Sequence, residues 1–321
     1  MLKSVQEAAR DIQAGRILAI AGEASLLAQL PAGTWIGGSI PYFMDAAGGR
    51  ITRDQVFVQD LTEVTASASI QVYRAEELHL LPRDAPENGF SILIIPANSP
   101  SHVTYARRAS GFRGLFQHPV VGWIAGVHLD DLGREAPKVF DGRGQHSIRD
   151  AVVLHAILKP GRKAEVGIIN LFRQGGGDVL VFEEDGFQVE DCLVNGERHN
   201  LAEYLHRNRI DTRLPLVADY GGVNVNVSIQ AVHDRAGTVD LYAPVFRHVE
   251  YRLAAPVEDY LATFRAALPR NLNPVFACNC ILNFLYSGLE GKITEGMYGP
   301  ITFGEIAFQL LNQTLVYLDV K

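Results

Sequence analysis

The order strand, helix, strand occurs twice early in this chain, and it leaves few folds open. Residues 17–22 (ILAIAG) form a short continuous apolar run, as expected of a strand buried on both faces. Residues 23–30 (EASLLAQL) are helical in composition and stop at Pro31-Ala32-Gly33, after which 34–40 (TWIGGSI) read as a second strand. The same order returns with 91–97 (SILIIPA), a helix beginning at Ser99 with Asn98 or Ser99 as its cap, and 118–126 (HPVVGWIAG). Parallel strands need such a crossover, which is nearly always right-handed. Beyond each second strand comes a loop with Gly and Asp, and then Arg53-Asp54 or Arg149-Asp150 leads into a Val-rich strand. We read the two stretches as an internal duplication.

Composition excludes several classes. With 321 residues the chain has room for about two domains. Hydrophobic residues at 47% and charged residues at 20% support a sizeable core and argue against disorder. A net charge of −7, without any dense Lys/Arg run, argues against a nucleic-acid partner. No apolar run reaches membrane-spanning length. The N-terminus reads as a helix rather than a signal peptide, with Ser4 and Glu7 as a capping box and Gly15 as its stop. A cytoplasmic protein without membrane association is expected. Three cysteines, Cys192, Cys278 and Cys280, are too few and odd in number for a disulfide framework, in keeping with a reducing compartment.

The second half reads differently. Pro160-Gly161 is the expected boundary, giving an N-terminal half over 1–160 and a C-terminal half over 161–321, and the Gly175–Gly177 run is an expected hairpin turn. Residues 200–207 and 257–268 have helical spacing, the first with Asn200 as cap. Residues 223–229 (VNVNVSI) alternate strictly, with Val223, Val225, Val227 and Ile229 on one face and Asn224, Asn226 and Ser228 on the other. The expected fold class is mixed α/β: a duplicated strand–helix–strand half packed on a half rich in antiparallel strands.

Residues 273–318 run from an apolar strand carrying Cys278-Asn279-Cys280, through an amphipathic segment and a Gly-rich loop, to a Phe303-Gly304-Glu305-Ile306 corner and a final strand. With residues 240–255 (DLYAPVFRHVEYRLAA) this resembles the C-terminal half of FIST proteins, bacterial sensory modules that bind small ligands, and the duplicated half is similar in architecture to their N-terminal half. The resemblance implies a cysteine turn and a Gly-Glu-Ile corner beside a ligand cavity. It departs from the family where glycine and arginine commonly follow the turn cysteine, since Cys280 and Ile281 stand there. That removes a cation suited to carboxylate-bearing ligands.

The candidate ligand-binding residues are Tyr42, Asn224, Asn226, Cys278, Asn279 and Glu305, each with a structural alternative. Cys278 and Asn279 end a strand, where α/β folds place ligands, but buried cysteines are also ordinary small hydrophobes. Glu305 is either a carboxylate for a ligand amine or a first-turn residue favoured by the dipole of a helix over residues 306–311. Asn224, Asn226 and Ser228 make either a cavity wall or a solvated face. Tyr42 follows the second strand and is a site residue or a structural tyrosine. No histidine has metal-ligand spacing, and no nucleophile elbow, P-loop or dinucleotide fingerprint is present.

These readings predict a cytoplasmic small-molecule sensor without catalysis of its own, its ligand an amino acid or similar metabolite in a cleft shared by the two halves, and its output passing to a separate signalling protein. No cofactor is expected. The alternatives are a haem-binding nitric oxide sensor, which the resemblance also admits and for which His248 is the candidate axial ligand, a thiol-dependent enzyme using Cys278 or Cys280, and a pure interaction protein.

Overall fold

A computed structural model describes residues 1–270 and 272–321 as a mixed α/β structure in which strand outweighs helix. Both expected crossovers form. Leu18–Gly22 runs parallel to Trp35–Ser39 across the helix Ala24–Leu27, and Gly89–Pro96 parallel to Val120–Ala125 across Pro100–Arg108. Ser99 caps the second helix, its side chain accepting the His102 N–H, and Pro100 sits in the first turn, where its missing N–H costs nothing. In each copy the strand after the Arg-Asp pair returns antiparallel to the first strand, Val56–Asp60 on Leu18–Gly22 and Ala151–Leu158 on Gly89–Pro96.

The structure adds a third copy. Pro274–Cys280 runs parallel to Gly299–Thr302 across the helix Ile281–Tyr286, and Leu315–Val320 returns antiparallel to Pro274–Cys280. Between its second and third strands each copy carries a hairpin. These are Tyr42–Asp45 with Gly48–Ile51, Val139–Phe140 with His146–Ser147, and Glu305–Ala307 with Gln309–Leu311. Every hairpin extends the sheet of another copy. The first pairs with Gly299–Thr302, the second with Trp35–Ser39 and the third with Val120–Ala125. The opposite edge of each sheet is a strand from the start of its own copy: Leu2–Lys3, Thr65–Tyr73 or Ala164–Ile169. Three six-stranded sheets of one strand order are thereby linked in a closed cycle.

One glycine per copy makes the close strand approach possible. Gly37, Gly122 and Gly299 share a register, and a Cβ on them would lie 3.0, 1.8 and 1.8 Å from the carbonyl oxygens of Ile20, Leu93 and Ala277. Between the sheets Trp123 stacks on Phe276 at 5.9 Å, and its indole occupies the space over Gly38, where a Cβ would lie 2.7 Å from Nε1. Cys278 belongs to the same core, its Sγ donating to the Gly122 carbonyl at 3.3 Å.

The chain forms two compact units. The three copies make the first, Met1–Ile169 with Leu268–Leu310 and Leu315–Lys321. The second, Asn170–Ala267 with Leu311–Thr314, is inserted in the third copy, so a division at 160/161 does not coincide with the units. Antiparallel strands dominate this insert: a six-stranded sheet, a three-stranded sheet, and the helix Leu201–Arg207 capped by Asn200.

Three local expectations are corrected. The Gly175–Gly177 run is not a hairpin turn, because Ala164–Ile169 pairs with Leu315–Val320 instead of the strand that follows it in sequence. Residues 305–311 form two short strands instead of a helix, broken at Phe308 with φ 63°, because Val120–Ala125 offers them a ladder. Residues 223–229 divide into Asn224–Val227 and the start of Ile229–His233, with Val223 exposed and Asn226 and Ser228 buried.

Candidate functional site

The three second strands end close together. Ser39 Oγ donates to the Gly126 carbonyl at 2.7 Å, the Gly126 N–H returns to the Ser39 carbonyl at 2.7 Å, and a Cβ on Gly126 would meet the Phe303 ring at 2.6 Å. Tyr42 lies just beyond Ser39. Its hydroxyl accepts the Leu129 N–H at 3.0 Å, and its ring stacks on His128 at 5.6 Å and meets Phe284 edge-on at 6.0 Å. Burial raises the Tyr42 pKa, and the charge of Asp130 pushes the same way. Nearby, Arg53 bridges Glu23, after the first strand of copy one, and Asp131, after the second strand of copy two, at 2.6 and 2.8 Å. Carboxyl ends of parallel strands are where α/β folds place ligands.

Asn279 and Cys278 end the first strand of copy three. Asn279 Oδ1 accepts the Cys280 N–H at 2.8 Å and Asn283 Nδ2 at 3.0 Å, and its carbonyl accepts from Thr302 Oγ1 at 3.3 Å. Its Nδ2 is buried and finds no partner among the described residues. Asn283 and Phe284 are neighbours on one helix, so that helix carries contacts to both Asn279 and Tyr42. Glu305 is fully buried, in a strand and not at a helix start. Burial pushes the Cys278 thiol well up, and the charges of Glu305 and Cys280 push it further. A nucleophilic thiol needs the opposite shift.

The copies act as internal references for these positions. Counting from the shared glycines, Cys278 corresponds to Ala21 and Ile94, and Asn279 to Gly22 and Ile95. Glu305, opposite Trp123, corresponds to Val139 opposite Gly38 and Phe43 opposite Pro300. The third copy thus sets an amide and a carboxylate where the others have small or apolar residues. Burying such groups costs free energy unless they are bonded.

The remaining candidates belong to the second unit. Asn226 is buried and exchanges amide bonds with Asn170, each at 3.0 Å, and donates to the Asn312 carbonyl at 3.0 Å, while the Asn224 carbonyl accepts from Asn170. Ser228 donates to Gln313 Oε1 at 2.7 Å. This polar strand face is therefore a hydrogen-bonded seam holding Leu311–Thr314, neither a solvated surface nor an open cavity wall. His248 is an exposed turn residue with φ 63°. A haem ligand needs an apolar slot around it, and an exposed turn supplies none. The same unit has open clefts of about 480 Å³ beside Asn195, His199 and Tyr204 and about 420 Å³ beside Glu184, Asp185 and Arg198.

One buried chain lies outside all of these candidates. Ser91 Oγ is 2.8 Å from His155 Nδ1, His155 Nε2 is 3.2 Å from the Tyr73 hydroxyl, and that hydroxyl has two acceptors for its one proton, Asp84 Oδ2 at 3.0 Å and Gln71 Oε1 at 2.5 Å. Burial lowers the His155 pKa to about 4 and raises that of Tyr73. With Ser91 fully buried, the chain joins three adjacent strands and offers no nucleophile to a substrate. The sequence signal was a single polar residue inside each of two apolar runs, SILIIPA and AVVLHAIL.

No described helix is long and apolar enough to cross a membrane, and no cluster of three metal-ligating side chains occurs among the described residues. The chain belongs to a family of unknown function (DUF6976), whose model matches residues 3–321. Comparison with curated proteins gives no match.

Proposed function

We propose that this protein is a cytoplasmic small-ligand sensor without catalysis of its own, its ligand bound at the carboxyl ends of the parallel strands in the first unit. The observation that carries this reading is the chemistry peculiar to the third copy. Asn279 and Glu305 stand at positions that the other copies fill with Gly22 and Ile95, or with Phe43 and Val139. A fold that is content with apolar residues twice has no structural need for an amide and a carboxylate the third time.

Asn279 Nδ2 supplies a donor for a ligand oxygen, and Tyr42 and the Glu23–Arg53–Asp131 bridge supply polar groups at neighbouring strand ends. An amino acid or similar small metabolite carries matching groups. Such a site would signal by a shift in population between free and bound forms, read by a separate protein partner. The raised Cys278 thiol speaks against a thiol enzyme, and the exposed His248 against haem.

The test combines native mass spectrometry of the purified protein with thermal shift against a metabolite panel. A retained or stabilising small molecule is expected. Its effect should weaken at least about tenfold in Asn279→Asp, which keeps the Oδ1 acceptor and removes the Nδ2 donor. A wild type that carries nothing and responds to no compound refutes the reading.

A further inference from the structure

Among the described residues the longest edge strand is unprotected. Thr65–Tyr73 (TASASIQVY) has nine residues, pairs among the described residues with Ala151–Leu158 on one side only, and lies at the end of its sheet. Sheet edges carry rows of unpaired N–H and C=O groups, and proteins usually blunt them with brevity, charge, proline or a bulge. The two equivalent outer strands follow that rule. Leu2–Lys3 has two residues, and Ala164–Ile169 carries Glu165, which is ion-paired to Lys321. Other edges are also short or charged, among them Glu197–Asn200, Gly48–Ile51 and Gln309–Leu311. Thr65–Tyr73 has neither charge nor proline, and its one register shift is confined to its start, opposite Ile157 and Leu158. Ala66, Ser67, Ser69 and Val72 on it are exposed.

We propose that this edge pairs antiparallel with the same strand of a second copy of the chain. Charge argues for that occupant. The strand is bounded by Glu63 before it and Arg74 after it, both exposed, and by no other charge between them. An antiparallel two-fold pair centred near Ser69 brings the start of one strand to the end of the other. Glu63 of each copy then approaches Arg74 of the other, so both ends of the seam carry opposite charges, while its uncharged middle meets itself without repulsion. A strand with one sign of charge at both ends would oppose like with like.

Nine paired residues span about 30 Å, and a seam of that kind buries less than a standard interface. The dimer therefore forms in the micromolar range, at roughly 1–100 µM.

Sedimentation equilibrium on the full chain tests this. At about 100 µM roughly half or more of the wild-type chains should be in dimers, and Ser69→Lys, which sets two ammonium groups side by side at the centre, should weaken the dimer at least about tenfold with an unchanged melting temperature. Glu63→Arg alone and Arg74→Glu alone should each weaken the dimer several-fold, and the double swap should restore it. A wild type that stays monomeric at that concentration, or that captures only a strand from another protein, overturns the proposal. So does a dimer that survives all these changes. The charge swap keeps the test decisive if Ser69→Lys disturbs folding, because both of its sites are exposed.

Discussion

Acid should destabilise the first unit through His155, and the size of the effect follows from its burial. The ring has Ser91 Oγ on Nδ1 and the Tyr73 hydroxyl on Nε2. Because the one Tyr73 proton goes onward to Gln71 or Asp84, a consistent network has Ser91 donating to Nδ1 and Nε2–H donating to Tyr73, a neutral imidazole with both nitrogens satisfied. Burial lowers the folded-state pKa to about 4 from the ordinary 6.5. Between those values the unfolded chain binds the proton and the folded chain does not, so stability falls as pH drops from 6.5 towards 4 and the loss is complete below that. At pH 5 the loss from this one group is about 2 kcal/mol. Buried carboxylates add their own slopes, so the difference between two proteins isolates His155. Both tryptophans, Trp35 and Trp123, lie in the first unit, so their fluorescence during urea unfolding reports on that unit. The stability lost between pH 7.5 and pH 5 should be about 2 kcal/mol smaller in His155→Gln than in the wild type. Equal losses in the two proteins would refute the argument, because they would mean that His155 titrates alike folded and unfolded. His102, lowered by burial to about 4, should give an independent loss of similar size.

Two further outcomes follow from packing. Gly122→Ala should cost more than about 3 kcal/mol or abolish soluble expression, because its Cβ would meet the Leu93 carbonyl oxygen at 1.8 Å, whereas Gly176→Ala, with nothing within 4 Å, should leave the melting temperature within a degree or so. Native protein should show no Cys278 reaction with a thiol reagent at pH 8 and full reaction once unfolded, read by absorbance, because the thiol is buried and its pKa is raised; fast native labelling of Cys278 would contradict its place in the core.

Two of the three copies are legible in the sequence because their first strands are mostly apolar runs and the helix of the second carries an ordinary serine cap. The third hides for physical reasons. Its first strand ends in Cys278-Asn279-Cys280 instead of branched aliphatics, its second begins with Gly299-Pro300, and an insert from Asn170 to Ala267 separates its outer strand from the rest. Its hairpin over Glu305–Leu311 has helical composition, and only the neighbouring sheet supplies the ladder that makes it extended. The candidate site was legible in part for the same reason. Tyr42, Cys278 and Asn279 could be placed at strand ends from local pattern, but Asn226 reads as a surface residue until Asn170 and Asn312 arrive from distant parts of the chain. The Ser91–His155–Tyr73 chain likewise joins residues 64 and 82 positions apart.

Triplication also separates what the fold demands from what it merely tolerates. A glycine recurs at the same register in every copy, and the carbonyl oxygen it faces leaves no room for a side chain at Gly122 and Gly299 and only a tight fit at Gly37, so this glycine is favoured by the architecture. Asn279 and Glu305 do not recur. At their positions the same backbone register accepts Gly22 or Ile95, and Phe43 or Val139, so the shared architecture does not require a buried amide or carboxylate there. The outer edge strand follows the same logic, short in one copy, charged in another, and long and uncharged only in the copy that exposes Thr65–Tyr73. Stability alone would draw the copies towards the cheaper residue at each place. Where one copy departs from the other two at a cost, the departure points to a ligand or a partner, and the strand ends around Asn279 and the edge at Ser69 are two such places.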